Sequence, residues 1–268
     1  MQSLAEAGAA LVGGILRRAQ PLAGGDLSQV VHITLMDGRE AVVKGGPAPL
    51  TEAAMLNAIA ASGAPAPAVL AASGELLVLE ALAGGGSLDD AWASLGAALA
   101  TLHKSTAERY GWREDYAFGP VPISNGWCDN WPEFWAERRL RVHLPHLALP
   151  LARRVEALAA RLADRLPRRP PPLLLHGDLW SGNVLAAGGR ISGLIDPACT
   201  YGHAEADFAM LRLFDQPGPA FYEAYGPLEA GHEERLPVYQ LWPALVHLRL
   251  FGSGYRSMAE RLLGRAGA

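Results

Sequence analysis

The residues of this chain best suited to chemistry are an aspartate, an asparagine five positions later and a second aspartate beyond it. His176-Gly-Asp178-Leu-Trp180-Ser-Gly-Asn183 is a polar loop between two short apolar runs, Leu173–Leu175 and a second run starting at Val184. A third run starts at Ile191 and ends in Asp196-Pro197. Apolar runs this short, bounded by polar and Gly-rich turns, read as strands. The sequence therefore places three oxygen-bearing side chains on loops at strand ends, as phosphoryl transfer requires. Asp178 would accept the proton of an attacking hydroxyl, while Asn183 and Asp196 would hold the Mg²⁺ that bridges nucleotide phosphates. Each piece alone is unremarkable, since His-Gly-Asp is a common turn and an Asp-to-Asn spacing of five arises by chance. The chemistry is implied by their joint order along the chain.

Elements that could position this loop lie on both sides of it. Upstream, Val30–Leu35 is rich in β-branched residues, Asp37-Gly38 is a hairpin signal, and Glu40–Lys44 reads as the returning strand. Lys44 thus ends a strand, where the phosphate-binding lysine of a protein kinase sits, and the downstream Asp-x-x-x-x-Asn spacing is that of a kinase catalytic loop. A helix read from Thr51 to Ala60, capped by Thr51, carries Glu52 in its first turn, where it can pair with Lys44. A lysine at a strand end is ordinarily just solvated, and it is the downstream loop that argues otherwise here. Residues Val69–Ala72 and Glu75–Glu80 supply further strands. Glu80-Ala81-Leu82 then leads into the Gly-rich stretch Ala83–Ser87. Its backbone N–H and C=O groups would face a crevice and meet adenine. The shift in composition divides the chain into a small strand-rich nucleotide-binding lobe, residues 1–82, and a larger helical lobe, residues 83–268, with the catalytic loop and substrate site.

Other stretches read more plainly. Leu4–Arg18 looks like an opening helix interrupted by Gly13-Gly14, and Ala91–His103 and Leu151–Leu166 have helical spacing. His103, alone at a helix end, reads as a structural group. Trp112, Trp127 and Trp131 sit in or beside a long loop, where indoles either pack a core or build a wall against a sugar. Glu205 and Asp207 open a helix, and Asp207 is placed to hydrogen-bond the backbone of the catalytic loop. Pro219–Tyr225 and Glu233–Phe251 read as further helices.

The 268 residues are half hydrophobic, with a formal charge of −4 and a pI near 6.1. A nucleic-acid binder would show a basic surplus, so that class is set aside. Cys128 and Cys199 have no zinc-ligand spacing and are too few for a disulfide framework, which fits a reducing cytoplasm. No run is long enough to span a membrane, and the N-terminus lacks the basic start of a signal peptide. The composition implies no oligomeric state.

Several motifs together resemble the fructosamine kinase family, in its bacterial branch. They are Gly24-Gly-Asp-Leu-Ser28, Lys44, Glu52, Gly111-Trp112, Asn125-x-Trp127, Asp129-Asn-Trp131-x-x-Phe134, His176–Asn183, Asp196-Pro-Ala198, Tyr201-Gly-His-x-Glu-x-Asp207, Tyr239-Gln-Leu and Leu250–Tyr255. The resemblance implies an α+β, two-lobed protein-kinase-like fold, with a small antiparallel-sheet lobe and a larger, mainly helical one. It implies ATP-dependent phosphorylation of a sugar hydroxyl on ketosamines, the adducts of sugars with amines, in deglycation repair. Carried onto this chain, Asp178 would be the proton acceptor and Asn183 and Asp196 the Mg²⁺ ligands. Lys44, oriented by Glu52, would hold ATP phosphate. Ser28 would lie in the phosphate loop, and Glu80, Ala81 and Leu82 would cradle adenine. One departure stands out: where the family usually continues Leu-Phe-Gly-Gly, this chain has Leu213-Phe-Asp215-Gln-Pro217.

Rival readings are a kinase for an aminoglycoside or choline, a kinase-like module without activity, and a metallohydrolase built on His176 and His203. Acidic side chains lining the substrate side would favour a polycationic aminoglycoside. The inactive module is disfavoured because Lys44, Glu52, Asp178, Asn183 and Asp196 are all present. The hydrolase is disfavoured because neither histidine has a partner at zinc-ligand spacing.

Overall fold

The structure, a computed structural model, describes residues 2–22 and 29–268. In chain order it contains α1 (Gln2–Leu11), β1 (Leu16–Pro21), β2 (Val30–Leu35), β3 (Glu40–Gly45), α2 (Pro49–Ala61), β4 (Val69–Ala72) and β5 (Leu76–Glu80). There follow α3 (Trp92–Leu102), β6 (Tyr116–Phe118), β7 (Val121–Ile123), α4 (Trp131–Trp135), α5 (Leu149–Ala159), β8 (Leu173–Leu175), β9 (Val184–Ala187) and β10 (Arg190–Leu194). The remaining elements are β11 (Thr200–Gly202), α6 (Glu205–Phe214), α7 (Pro219–Tyr225), α8 (His232–Phe251) and α9 (Arg256–Arg265).

The first five strands form one antiparallel sheet in the order β1-β2-β3-β5-β4. The Asp37-Gly38 hairpin is present, with Gly38 at φ +89° and the Asp37 carboxylate accepting the Arg39 N–H at 3.0 Å. The opening helix is shorter than the sequence suggests. It ends at Leu11, Gly13 turns at φ +67°, and the expected helical residues from Leu16 onward form β1 instead. That strand lies on the sheet edge with most of its side chains exposed, so no alternating apolar pattern marks it.

Alternation along β3 determines where Lys44 points. Ala41 and Val43 face α1 and pack with Ala5, Ala9, Val31, Ile33 and Val78, whereas Val42 and Lys44 face α2. Helix α2 starts with Pro49 at its first position and Ala48 at its cap. Thr51 is therefore no cap, and its hydroxyl donates instead to Glu114 Oε2 at 2.9 Å. Ala53 and Leu56 of α2 pack under the sheet, but Met55 and Ile59 belong to the core of the helical part, beside Leu99, Leu174 and Cys199. In that part α3 lies against α7 at Gly96, where any Cβ would strike the Phe221 carbonyl.

A second large core joins α4, α5, α8 and α9 through Trp131, Phe134, Trp135, Val155, Tyr239, Leu245 and Leu263, all fully buried. Each such side chain contributes about 1.5–3 kcal/mol by leaving water. Trp112 and Trp131 are thus core residues, and Trp127, 38% exposed, stacks on Tyr201. None of the three lines the cleft described below.

Candidate active site

The strands β8 and β11 pair antiparallel, as do β9 and β10, and the polar loop 176–183 runs between the two pairs. A chain turning this sharply cannot use its N–H groups in a ladder, so a side chain must accept them. Asp207, fully buried in the first turn of α6, does so: Oδ2 accepts from His176 N at 2.8 Å and Oδ1 from Gly177 N at 2.9 Å. Gly177 sits at φ +81°, where a Cβ would run into the Ala198 carbonyl.

His176 fastens the loop to the following strand pair. Its Nε2 lies 3.0 Å from the Ile195 carbonyl and its Nδ1 3.3 Å from the Asp178 N–H. The carbonyl can only accept and the amide can only donate, so Nε2 carries the proton. Burial holds the ring below its ordinary pKa despite the nearby Asp207 charge. His103 plays the structural part expected of it, with Nε2 3.2 Å from Asp207 Oδ2 and Nδ1 2.9 Å from the Tyr225 hydroxyl.

Asp178, Asn183, Asp196 and Lys44 all line one cleft, of about 410 Å³. The Asn183 amide N–H₂ donates to the Asp178 backbone carbonyl at 2.8 Å and to its Oδ2 at 2.9 Å. Desolvation pushes the Asp178 carboxyl up to about 7, with Asn183 opposing and the Asp196 charge adding to the rise. Asp196 follows β10 at φ +53°, a left-handed backbone rare outside glycine and a kind of strain that clusters at functional sites. Lys44 Nζ stands 2.8 Å from Asp196 Oδ1 and 2.8 Å from Glu52 Oε1. Burial works against the lysine's charge, but the two carboxylates outweigh it and hold Lys44 above its ordinary value. The Asn183 Oδ1 and the second Asp196 oxygen make no hydrogen bond among the described residues. They are hard oxygen donors of the kind Mg²⁺ selects, so these residues fit the ion.

At the proposed adenine edge, Glu80 N–H is already bound to the Ala68 carbonyl at 2.9 Å, and its carboxylate accepts from Ala68 N at 3.1 Å. Among the described residues the backbone groups of Ala81 and Leu82 make no such bond, which narrows the stretch with groups to offer. Ser28 and Gly24-Gly25-Asp26 lie outside the described residues.

The other wall of the cleft is aromatic. His247 lies 4.9 Å from Phe214, 5.4 Å from Phe251 and 5.0 Å from Tyr255 between ring centroids, and Trp180 meets Phe214 edge-on at 6.2 Å. The only carboxylates lining the cleft among the described residues are Asp178 and Asp196. Sequence reasoning missed this wall, although His247 and Phe251 stand four apart on one face of α8; Gly252, at φ +84°, ends that helix before Tyr255. The Asp215 departure also has a use: its Oδ2 accepts the Ser181 N–H at 2.8 Å, bracing the polar loop from α6.

His203 does have acidic neighbours, contrary to the expectation from spacing, with Glu229 at 3.4 Å and Glu205 at 3.8 Å. Arg235 already neutralises Glu205 through contacts of 2.5 and 2.8 Å, and the group lies outside the cleft.

Comparison with known proteins now decides the family. The model of the family described as fructosamine kinase matches residues 15–266. The chain belongs to the fructosamine kinase family. A Synechocystis member named probable ketoamine kinase slr1563 is 38% identical over 208 residues, an alignment covering 70% of this chain and 66% of that protein. The chain thus spans just under two thirds of this curated relative's length. The crystal structure of a candidate fructosamine-3-kinase from Thermobifida fusca YX-ER1 superposes with a TM-score of 0.90 at 32% identity, covering 99% of both chains. A thermostable mutant of aminoglycoside phosphotransferase APH(4)-Ia, solved with ADP and hygromycin B, gives a TM-score of 0.66 at 18% identity, over 99% of this chain and 97% of that one. That likeness is one of fold. The family and these neighbours establish the α+β, two-lobed protein-kinase-like architecture.

Proposed function

We propose that this protein uses ATP to phosphorylate a sugar hydroxyl of a ketosamine, marking the adduct for removal from the amine. The observation that carries the reading is the convergence of Lys44, Asp178, Asn183 and Asp196 on one cleft. Asp178 takes the proton of the attacking hydroxyl as a new bond forms from that oxygen to the γ-phosphorus. The bond to the ADP oxygen breaks in the same in-line displacement. Asn183 and Asp196 would hold Mg²⁺, whose charge neutralises phosphate oxygens when bound. Lys44 grips phosphate, Glu52 orients Lys44, and the backbone of Ala81 and Leu82 meets adenine. The aromatic wall suits the C–H faces of a sugar. The scarcity of acid in the cleft supports a ketosamine over a polycationic aminoglycoside. The cytoplasm is the setting that fits two free cysteines.

An ATP-consumption assay run in parallel on fructosyl-lysine, ribulosyl-lysine, kanamycin and choline tests the substrate class. Turnover of a sugar-lysine adduct is expected, and a response to kanamycin alone overturns it. Asp178→Asn should lower turnover about 10²–10⁴-fold, the usual contribution of a positioned base, with ATP affinity retained. Near-normal turnover would remove Asp178 from the mechanism.

A further inference from the structure

The hairpin β6–β7 bridges the two parts of the molecule in a way the catalytic loop does not require. Its ends are clamped from below. The Asn125 N–H donates to Asp115 Oδ1 at 2.7 Å, the Asn125 amide donates to the Glu114 carbonyl at 3.2 Å, and Arg139, fully buried, donates to Asn125 Oδ1 at 2.7 Å. From this base the hairpin reaches α2. Glu114 accepts from Thr51 on the first turn of α2, and one residue pair further on the Tyr116 hydroxyl donates to Glu52 Oε2 at 3.4 Å. The other Glu52 oxygen is the one that holds Lys44. Glu52 is only 4% exposed, so the phenol is the partner of an oxygen that water barely reaches. The same strand serves the other side of the cleft. Tyr116 packs edge-on against Phe118 at 6.2 Å, Phe118 stands 6.3 Å from Trp242, and all three line the cleft with Asp178.

We infer that Tyr116 is a positioning residue: it fixes the carboxylate of Glu52, and through it Lys44, while its strand shapes the acceptor side of the cleft. The inference rests on the phosphotransfer reading above. A carboxylate gripped at one oxygen can swing about its own axis; gripped at both, it presents Lys44 in one direction. Burial and the surrounding carboxylates of Glu52, Asp196 and Asp178 keep the phenol well above its ordinary pKa, so it remains a donor across the working pH range.

The test uses the full chain and two variants. Tyr116→Phe keeps the ring and its packing and removes only the hydroxyl. Isothermal titration with AMP-PNP and Mg²⁺ should show affinity weakened about five- to tenfold, the effect of one lost hydrogen bond to a charged group at a long distance. KM for fructosyl-lysine should stay at its wild-type value, and the melting temperature should fall by no more than a few degrees, the cost of one weak buried bond. Phe118→Ala should do the reverse, raising the acceptor KM and leaving AMP-PNP affinity unchanged. Wild-type AMP-PNP affinity in Tyr116→Phe overturns the assignment. So does a loss of nucleotide and acceptor affinity together with a lowered melting temperature, since that is the signature of a packing defect. Should the wild-type protein turn over no ketosamine, the substrate reading falls, and the AMP-PNP comparison still decides the role of Tyr116.

Discussion

Replacing Asp207 by Asn probes how the catalytic loop keeps its shape. One Asp207 oxygen accepts from Gly177 N, and the other accepts from His176 N and faces His103 Nε2. An amide offers a single acceptor, so in either orientation its N–H₂ is set against a donor in a fully buried site. One charge-assisted bond is lost and another becomes neutral, at about 1–3 kcal/mol for each group left unsatisfied or weakened. A total near 2–6 kcal/mol corresponds to a melting temperature lower by roughly 4–24 °C for a chain of this size. Asp178 follows directly after the two amides that Asp207 holds. A shift of about 1 Å at a reacting group costs on the order of 10²-fold in rate. Differential scanning fluorimetry and steady-state turnover of fructosyl-lysine measure the two effects on the same preparation. If turnover remains within about threefold of wild type (~0.65 kcal/mol) and the melting temperature does not move, the loop is held by something other than Asp207.

Two further outcomes follow from individual sites. Gly177→Ala, at φ +81° and facing the Ala198 carbonyl, should lower turnover and melting temperature together. The left-handed backbone alone costs a non-glycine residue about 1–2 kcal/mol, and activity near wild type in a crude kinetic screen would refute it. His143 is 1% exposed, and its pKa is lowered from 6.5 to about 3 by burial, with the charges of Arg249, His146 and Arg139 adding to it. The unfolded chain therefore takes up a proton below pH 6.5 that the folded chain refuses, so stability at this site is full above that pH and drains away as the solution is acidified. The slope is about 1.4 kcal/mol per unit, or roughly 2 kcal/mol by pH 5. His143→Leu should flatten the acid limb of a urea-denaturation series by one proton; an unchanged limb would show that the buried imidazole is not its source.

What the sequence disclosed and what it hid have physical causes. The 176–183 loop, Lys44, Glu52 and Asp196 were legible because phosphate chemistry restricts residue types at strand ends, and Asp37-Gly38 because the turn demands a positive φ. Asp207 was legible from its place at a helix start. Strand β1 was not, because an exposed edge strand has no buried face to imprint a period on the sequence. Strands β6, β7 and β11 have three residues each, too few for an alternating pattern, and β6 and β7 sit in a stretch rich in Trp, Gly and Pro. The aromatic wall joins Trp180, Phe214 and His247 from separate elements, a juxtaposition that only the tertiary fold creates.

The seating of α2 bears on how such a catalyst is governed. Met55 and Ile59 are sunk in the core of the helical part, and Met55 Sδ accepts the Cys199 N–H at 3.3 Å, only three residues past Asp196. Signalling kinases toggle by swinging the corresponding helix outward, which parts the lysine from its glutamate. Here that swing would tear two large side chains from a packed interior, so the same packing that seats α2 also holds Glu52 beside Lys44. On the proposed phosphotransfer reading, flux through such a site would follow the supply of its acceptor.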